Sequence, residues 1–362
     1  MSRLLQETAG QANQPDTDRD PYGYLLVHFL EDPDGYAERI YFDLSEGDNP
    51  ERWHPLNCGQ PVLTSNLGTT GVRDPYLVRN PESGRVYVIA TDLRVYGDEG
   101  AGGSGWEYWS HHGSTKLTIW QTDDLVHFSQ PWQLDVSQRE DGSHAQLGMA
   151  WAPECLWVSD YYGPGEGAFV LYWASKLFAD SDSKHEDAAA YDQILWGATR
   201  DFSQESFTYG GVFIDTGGNA IDTTMVQRRM PSGKLRTYRA TKDNAFGQGI
   251  WLDWTDDRRW WLPEAQWQLA QSKVGASFAV GGDPGGVEGP ALFASHSRDL
   301  WYLYVDVIPS IGYRPMVSSS PELGFEALQS PDFLMAPHTK HGGVLSLERA
   351  EYERLRTLTD MA

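Results

Sequence analysis

The stretch "GVRDPYLVRNPESGRVYVIATDL" (residues 71–93) decides the fold. Two short runs rich in Val, Leu, Ile and Tyr flank the turn sequence "NPESG" (80–84), which predicts an antiparallel β-hairpin. An acid stands directly before a proline where this hairpin opens, as Asp74-Pro75. A single acid in that position is most often a turn or cap residue, so its meaning depends on whether the pattern recurs.

Comparable openings recur three times further along the chain. Each is followed by a turn and an aromatic strand: "APECLWV" (152–158), "IDTTMVQ" (221–227) and "EGPALFA" (288–294). The acids that mark the four openings are spaced by 80, 68 and 66 residues: Asp74, Glu154, Asp222 and Glu288. This period is typical of a four-stranded propeller blade with its loops.

The whole chain follows the same β pattern. Short aromatic-rich strands are broken by Gly, Pro, Asn and Asp, and helical periodicity is scarce. A last unit combines "KHGGVLSL" (340–347) with strands in residues 22–46, which makes five units of about 72 residues each. The sequence therefore predicts an all-β fold, a five-bladed β-propeller with about four antiparallel strands per blade around a central channel. We expect residues 1–19 to form a poorly ordered N-terminal extension and residues 20–362 a single domain.

Composition and charge exclude several classes of partner. Asp and Glu number 51 against 28 Lys and Arg, and the resulting formal charge of -23 disfavours nucleic acid and anionic membranes. Two cysteines, Cys58 and Cys155, cannot build a disulfide framework or a Cys-rich zinc site. The sequence has neither the apolar core of a signal peptide nor a run of about 18 apolar residues, so we expect a cytoplasmic protein.

The innermost strands of a propeller surround its channel, so acids from different blades converge although they are distant in sequence. Glycoside hydrolysis requires such convergence, because one carboxyl group protonates the leaving oxygen while another activates water. The two groups need different pKa values, which burial and mutual repulsion can provide.

Five short motifs together resemble glycoside hydrolase family 43, the family of five-bladed-propeller arabinofuranosidases and xylosidases. They occur in order over roughly residues 20–350: "RDP" (73–75), "WAPE" (151–154), "IDTT" (221–224), "VEGP" (287–290) and "KHGG" (340–343). The resemblance implies that Asp74 is the general base, that Asp222 orients the general acid and tunes its pKa, and that Glu288 is the general acid. Thr223 departs from the family pattern, since many members have proline there.

The resemblance also implies a channel histidine, His341, beside a bound metal ion that is usually calcium, often through water. No organic cofactor is implied. Candidate substrate-binding residues are Trp151, Glu154, Arg314 and Trp106. Each also has an ordinary structural interpretation, with the tryptophans as packing residues and Glu154 as a structural acid. The shape of the binding site depends on two inserted loops, residues 94–115 and 178–193.

From the resemblance we expect an exo-acting, inverting glycoside hydrolase that releases terminal α-L-arabinofuranose from oligosaccharides. β-Xylosidase and β-galactofuranosidase are the nearest alternatives, because the same three acids serve each reaction. A non-catalytic carbohydrate-binding propeller is the alternative from a different class. The sequence leaves the oligomeric state open.

Overall fold

Five antiparallel sheets of four strands each make up the protein in a computed structural model that describes residues 20–31, 38–96, 105–309 and 311–359. The innermost strand of each sheet contacts the innermost strands of the next and the previous sheet, which closes a ring. The predicted all-β fold and five-bladed β-propeller are therefore confirmed. The proposed N-terminal extension, residues 1–19, lies outside the described residues.

The strands follow one another in chain order as β1 (Pro21–Leu30), β2 (Ile40–Glu46), β3 (Asn49–Pro55), β4 (Val72–Arg79), β5 (Val86–Asp92), β6 (Lys116–Thr122), β7 (Trp132–Asp135), β8 (Trp151–Gly163), β9 (Glu166–Lys176), β10 (Asp192–Thr199), β11 (Thr208–Ile214), β12 (Ala220–Arg229), β13 (Leu235–Asp243), β14 (Gly249–Thr255), β15 (Gln268–Val274), β16 (Val287–Ala294), β17 (Trp301–Val307), β18 (Gly312–Ser318), β19 (Glu326–Ala327) and β20 (Thr339–Glu348). Two α-helices accompany them, α1 (Gly105–His112) and α2 (Arg349–Thr359).

Four blades are built from consecutive strands, and the fifth joins the two ends of the chain. Blades I to IV are β4–β7, β8–β11, β12–β15 and β16–β19, each with its first strand innermost. Blade V has the order β20-β1-β2-β3, so β20 supplies the innermost strand from the far end of the chain. The predicted closure of the ring by "KHGGVLSL" on the N-terminal strands is confirmed.

The hydrophobic core lies between neighbouring blades rather than inside one central cluster. Five buried clusters form, and each combines side chains from two adjacent blades. Between blades IV and V, for example, Tyr24 and Trp53 pack with Tyr302 and Tyr304. The abundance of Trp and Tyr is explained in large part by these wide, flat contacts between twisted sheets.

The helices lie outside the sheets. Tyr352 on α2 packs edge-on against Tyr22, and its hydroxyl accepts the Gly47 amide at 2.7 Å and donates to the Ser45 carbonyl at 3.0 Å. Helix α1 falls in the predicted inserted loop 94–115, of which residues 97–104 are outside the described residues. Within the described ranges, no helix is long and apolar enough to cross a membrane.

Closure of the ring depends on a glycine where β20 meets β1. A Cβ at Gly342 would lie 1.8 Å from the carbonyl oxygen of Val27, a backbone atom with little room to move. We expect Gly342→Ala to lower the free energy of unfolding by about 3 kcal/mol, because overpacking a filled site forces the backbone apart. Urea denaturation measures the loss.

Gly142→Ala is the control for this substitution. Nothing lies within 4 Å of a Cβ at Gly142, so the variant reports only the strain of a left-handed φ of 82°, about 1 kcal/mol. Equal losses in the two variants would show that close contact between β20 and β1 does not limit stability.

Candidate active site

The innermost strand of every blade carries the same bulge, in which two residues lie opposite one residue of the neighbouring strand. In blade I, Asp74 and Pro75 together lie opposite Ala90. The equivalent pairs in blades II to V are Ala152-Pro153, Asp222-Thr223, Gly289-Pro290 and His341-Gly342. In blades I to IV the first residue of each pair has a left-handed φ of 47°, 50°, 50° and 53°. A bulge bends a strand and re-aims its side chains, so these five sites turn residues towards the channel.

The residues at these bulges surround one pocket of about 350 Å³. All five residues that directly precede a bulge line it: Arg73, Trp151, Ile221, Glu288 and Lys340. The first bulge residue also lines it in three blades, as Asp74, Asp222 and His341. The structure thus brings together the three acids that the sequence proposed for catalysis, from blades I, III and IV.

Asp74 is held as a carboxylate. The Thr91 hydroxyl donates to its Oδ2 at 2.9 Å, and the Nδ1 of His341 lies 3.6 Å from its Oδ1. Burial alone would raise the pKa of Asp74, but His341, Arg73 and the Thr91 hydrogen bond outweigh it and hold the pKa below its ordinary value. An ionised carboxylate facing a pocket can accept a proton from water.

Asp222 holds the strand that carries Glu288. Its Oδ2 accepts the backbone amide of Gly289, the residue after Glu288, at 3.0 Å. Burial raises the pKa of Asp222 to about 6; His341 opposes this shift, while Glu288 and Asp74 add to it. Glu288 itself keeps 30% of its side chain exposed, and its Oε1 lies 3.7 Å from the Nζ of Lys340.

His341 lies among three carboxylates at the centre of the ring. Its Nδ1 is 3.6 Å from Asp74 Oδ1 and 3.9 Å from Asp222 Oδ1, and its Nε2 is 3.9 Å from Glu154 Oε1. Burial would lower the pKa of the imidazole, but the surrounding acids outweigh it and raise the pKa well above the ordinary value. The surrounding carboxylates therefore favour the protonated form of the ring, whose positive charge balances part of theirs.

His341 is the residue that the sequence placed beside a calcium ion. Among the residues that the structure describes, no group of three or more His, Cys, Asp or Glu side chains is arranged to hold a metal ion. Calcium stays a prediction from the sequence, and no chemical step is assigned to it.

Glu154 does not line the pocket, contrary to the substrate contact proposed from the sequence. It lies two residues beyond the bulge position Ala152, is 2% exposed, and has its Oε1 3.9 Å from the Nε2 of His341. Burial raises its pKa to about 7, although His341 lowers it. The residue of blade II that corresponds to Asp74 is Ala152, and the regular spacing of acids had concealed this shift.

The other three proposed substrate-binding residues divide between the pocket and the outside. Trp151 and Trp106 both line the pocket, with ring centroids 5.8 Å apart in an edge-to-face contact. Arg314 is not among the lining residues, because it lies on the third strand of blade IV. Its guanidinium donates to the Tyr313 carbonyl at 2.7 Å and covers Phe333, which corrects the proposed substrate clamp.

Four charged residues of the pocket escaped the sequence interpretation: Arg73, Lys340, Asp306 and Glu31. Arg73 packs over the Trp106 ring at 4.8 Å and donates to Glu38 at 2.9 Å. Arg73 and Lys340 lie inside the motifs "RDP" and "KHGG", from which the sequence analysis selected only Asp74 and His341. Their shared position directly before the bulge is the signal that could have identified them.

The structure is thus a five-bladed propeller whose innermost strands place carboxylates and cations around one pocket. A family model described as "Probable glycosyl hydrolase domain", the family 43-related group, matches residues 20–353. The chain belongs to this family of glycoside hydrolases.

One curated relative and several solved structures resemble the chain. An α-L-arabinofuranosidase of Bifidobacterium longum subsp. longum is 30% identical over 242 residues, which cover 64% of this chain and 20% of the relative. The chain thus spans about one fifth of the length of that protein. A thermostable family-43 glycoside hydrolase superposes with a TM-score of 0.46 at 15% identity, over 75% of this chain and 77% of the other. An α-L-arabinofuranosidase of Lactobacillus brevis gives 0.44 at 15% identity, over 71% and 72%.

The burial of Glu154 predicts a pH dependence of stability. Its folded-state pKa of about 7 exceeds the ordinary value of 4.5, so the folded protein keeps a proton that the unfolded chain releases between these pH values. Stability therefore falls as pH rises through this interval, by a contribution on the order of 3 kcal/mol. We expect Glu154→Gln to remove this share of the decline and to leave the shares of Asp222 and Asp306, whose pKa values burial also raises, to about 6 and about 7. Urea denaturation at pH 5, 6 and 7 measures the change in slope.

Glu140→Gln provides the control, because Glu140 is exposed on the surface. This variant should keep the wild-type slope. If Glu154→Gln also kept it, the proton would reside elsewhere in the channel, and the assignment of a protonated, buried Glu154 would be wrong.

Proposed function

We propose that the chain is an exo-acting, inverting glycoside hydrolase that releases terminal α-L-arabinofuranose from oligosaccharides. The observation that carries the proposal is the meeting of Asp74, Asp222 and Glu288 at equivalent bulges around one pocket. Their surroundings differ, as the division of roles between base and acid requires.

In the proposed mechanism, Asp74 takes a proton from water as the water attacks the anomeric carbon. Glu288 gives its proton to the glycosidic oxygen as the bond to the leaving group breaks. The lowered pKa of Asp74 suits a general base. The side chain of Glu288 is partly exposed, which suits a proton donor that must reach the departing alcohol. Asp222 orients Glu288 by accepting the amide of the next residue, Gly289, at 3.0 Å.

The substrate is proposed from two observations. A pocket of about 350 Å³ is at the small end of ligand sites, which favours a single terminal sugar over the middle of a polymer. The curated relative from Bifidobacterium longum is named as an α-L-arabinofuranosidase. β-Xylosidase and β-galactofuranosidase use the same acids, so comparing aryl glycosides of arabinofuranose, xylopyranose and galactofuranose tests the choice.

Removing either reacting carboxyl group should abolish turnover. We expect Asp74→Asn and Glu288→Gln each to lower kcat/KM for a 4-nitrophenyl α-L-arabinofuranoside by about 100-fold or more, because general acid–base catalysis contributes that much. Glu288→Gln should lose less activity on a good leaving group than on an alkyl arabinofuranoside, which needs protonation. Asp74→Asn should lose similar activity on both.

Asp141→Asn, which changes an exposed acid, is the control and should keep wild-type activity. Sugar binding retained by the two inactive variants would separate an enzyme from a non-catalytic carbohydrate-binding propeller. Hydrolysis at the wild-type rate by both variants would overturn the mechanism.

Inversion makes a prediction of its own. A proton NMR time course of hydrolysis should show first the β-anomer of arabinose from an α-arabinofuranoside, because water attacks the face opposite the leaving group. Early appearance of the α-anomer, before mutarotation, would instead require a covalent intermediate and a retaining mechanism.

A further inference from the structure

Lys340 occupies, in blade V, the position that Glu288 occupies in blade IV and Arg73 in blade I. All three residues directly precede the bulge, and all three line the pocket. The side chain of Lys340 is only 2% exposed. The position before the bulge, repeated from blade to blade, thus places a buried ammonium group in the same pocket as the proposed catalytic acids.

Asp306 faces Lys340 from the second strand of blade IV. It pairs in register with Glu288 and also lines the pocket. The Nζ of Lys340 lies 2.7 Å from Asp306 Oδ2, 3.4 Å from Glu31 Oε2 and 3.7 Å from Glu288 Oε1. Asp306 is fully buried, so the proposed general acid has a lysine–aspartate pair beside it inside the pocket.

The pair has unused hydrogen-bonding capacity. Lys340 Nζ and both carboxylate oxygens of Asp306 are buried and lack a hydrogen-bond partner within the described residues. Their 2.7 Å contact brings the opposite charges together, yet even a hydrogen bond there would use only one of the three ammonium protons and one of the two carboxylate oxygens. Buried polar groups are nearly always hydrogen-bonded, so a donor and acceptor left open at a pocket indicate a ligand that satisfies both.

Lys242 shows what a purely structural lysine looks like in the same region. It is 1% exposed, and its Nζ donates to the carbonyl oxygens of Pro284 at 3.0 Å and Gly285 at 3.4 Å. Lys242 is not among the residues that line the pocket. A buried lysine of this region can therefore have its hydrogen bonds satisfied by the backbone, as Lys242 does and Lys340 does not. Lys242 is the matched control for Lys340.

We propose that Lys340 and Asp306 bind one hydroxyl group of the terminal sugar and select for it. A hydroxyl group is both donor and acceptor, so it can accept from the Lys340 ammonium and donate to the Asp306 carboxylate at once. The inference deepens the proposed function and rests on it, because it concerns the sugar that Asp74 and Glu288 act on.

The test compares a 4-nitrophenyl α-L-arabinofuranoside with its 2-deoxy, 3-deoxy and 5-deoxy analogues. In the wild type, one analogue should lose about 10-fold to 100-fold in kcat/KM, because a charged pair would be left without its partner. In Lys340→Met, the parent substrate should fall to the level of that analogue, while the analogue itself should lose little more. Lys242→Met should keep the wild-type discrimination.

A second variant guards against misfolding. Lys340→Met leaves Asp306 buried without a counter-charge, so the double variant Lys340→Met/Asp306→Asn removes both charges, and its melting temperature confirms folding. It should show the same loss of discrimination. An equal loss for the parent and all three analogues in a folded variant, or unchanged kcat/KM, would overturn the proposal.

The experiment also separates this inference from the proposed function. Hydrolysis of the parent arabinofuranoside by the wild type supports the proposed function whatever the lysine variants do. If the wild type cleaves the xylopyranoside or galactofuranoside instead, the same comparison on deoxy analogues of that sugar tests the pair. A wild-type protein that hydrolyses none of the three overturns both proposals.

Discussion

Repulsion between carboxylates enclosed in one channel is the constraint on which the rest of the site depends. Ionised acids brought together away from water destabilise one another unless cations stand between them. His341 faces Asp74, Asp222 and Glu154, and Lys340 faces Glu288 on the pocket side. Each acid meets a different balance of burial and positive charge. That balance holds Asp74 ionised and raises the pKa of Asp222 and of Glu154.

The backbone makes this crowding possible by repeating one device five times. A regular strand would turn alternate side chains to opposite faces of the sheet, whereas a bulge lets neighbouring residues turn towards the same space. The residue before the bulge reaches the pocket, the first bulge residue can reach the centre, and a residue two positions later can be buried beside the central histidine. Glu288, Asp74 and Glu154 illustrate the three outcomes in turn. Residue type and position in the bulge together decide what each acid can do.

The sequence predicted the five-bladed ring and the three converging acids because both depend on patterns that are local and repeated. Turn residues punctuate short strands, and the motifs recur at the spacing of a blade. The positions of the acids in the sequence were less reliable for aligning one blade with another. Aligning Glu154 with Asp74 misplaced blade II by two residues, and only the strand pairing shows that Ala152 is the true equivalent. The meeting of Lys340 with Asp306 was equally hidden, since it joins different blades through the closure of the ring.

That closure links the assembly of the fold to the charge balance of the site. The strand β20 that completes the ring carries both central cations side by side, Lys340 towards the pocket and His341 towards the channel acids. Gly342 follows them because the β1 backbone leaves no room for a side chain. Gly343 comes next because the aromatic ring of Tyr76 in blade I leaves no room there either. The acids of blades I, III and IV converge fully only when the ring is closed. Strand β20 therefore brings the acids together and also supplies the positive charges that offset their repulsion. In an open ring, the acids would be apart and these positive charges would not face them.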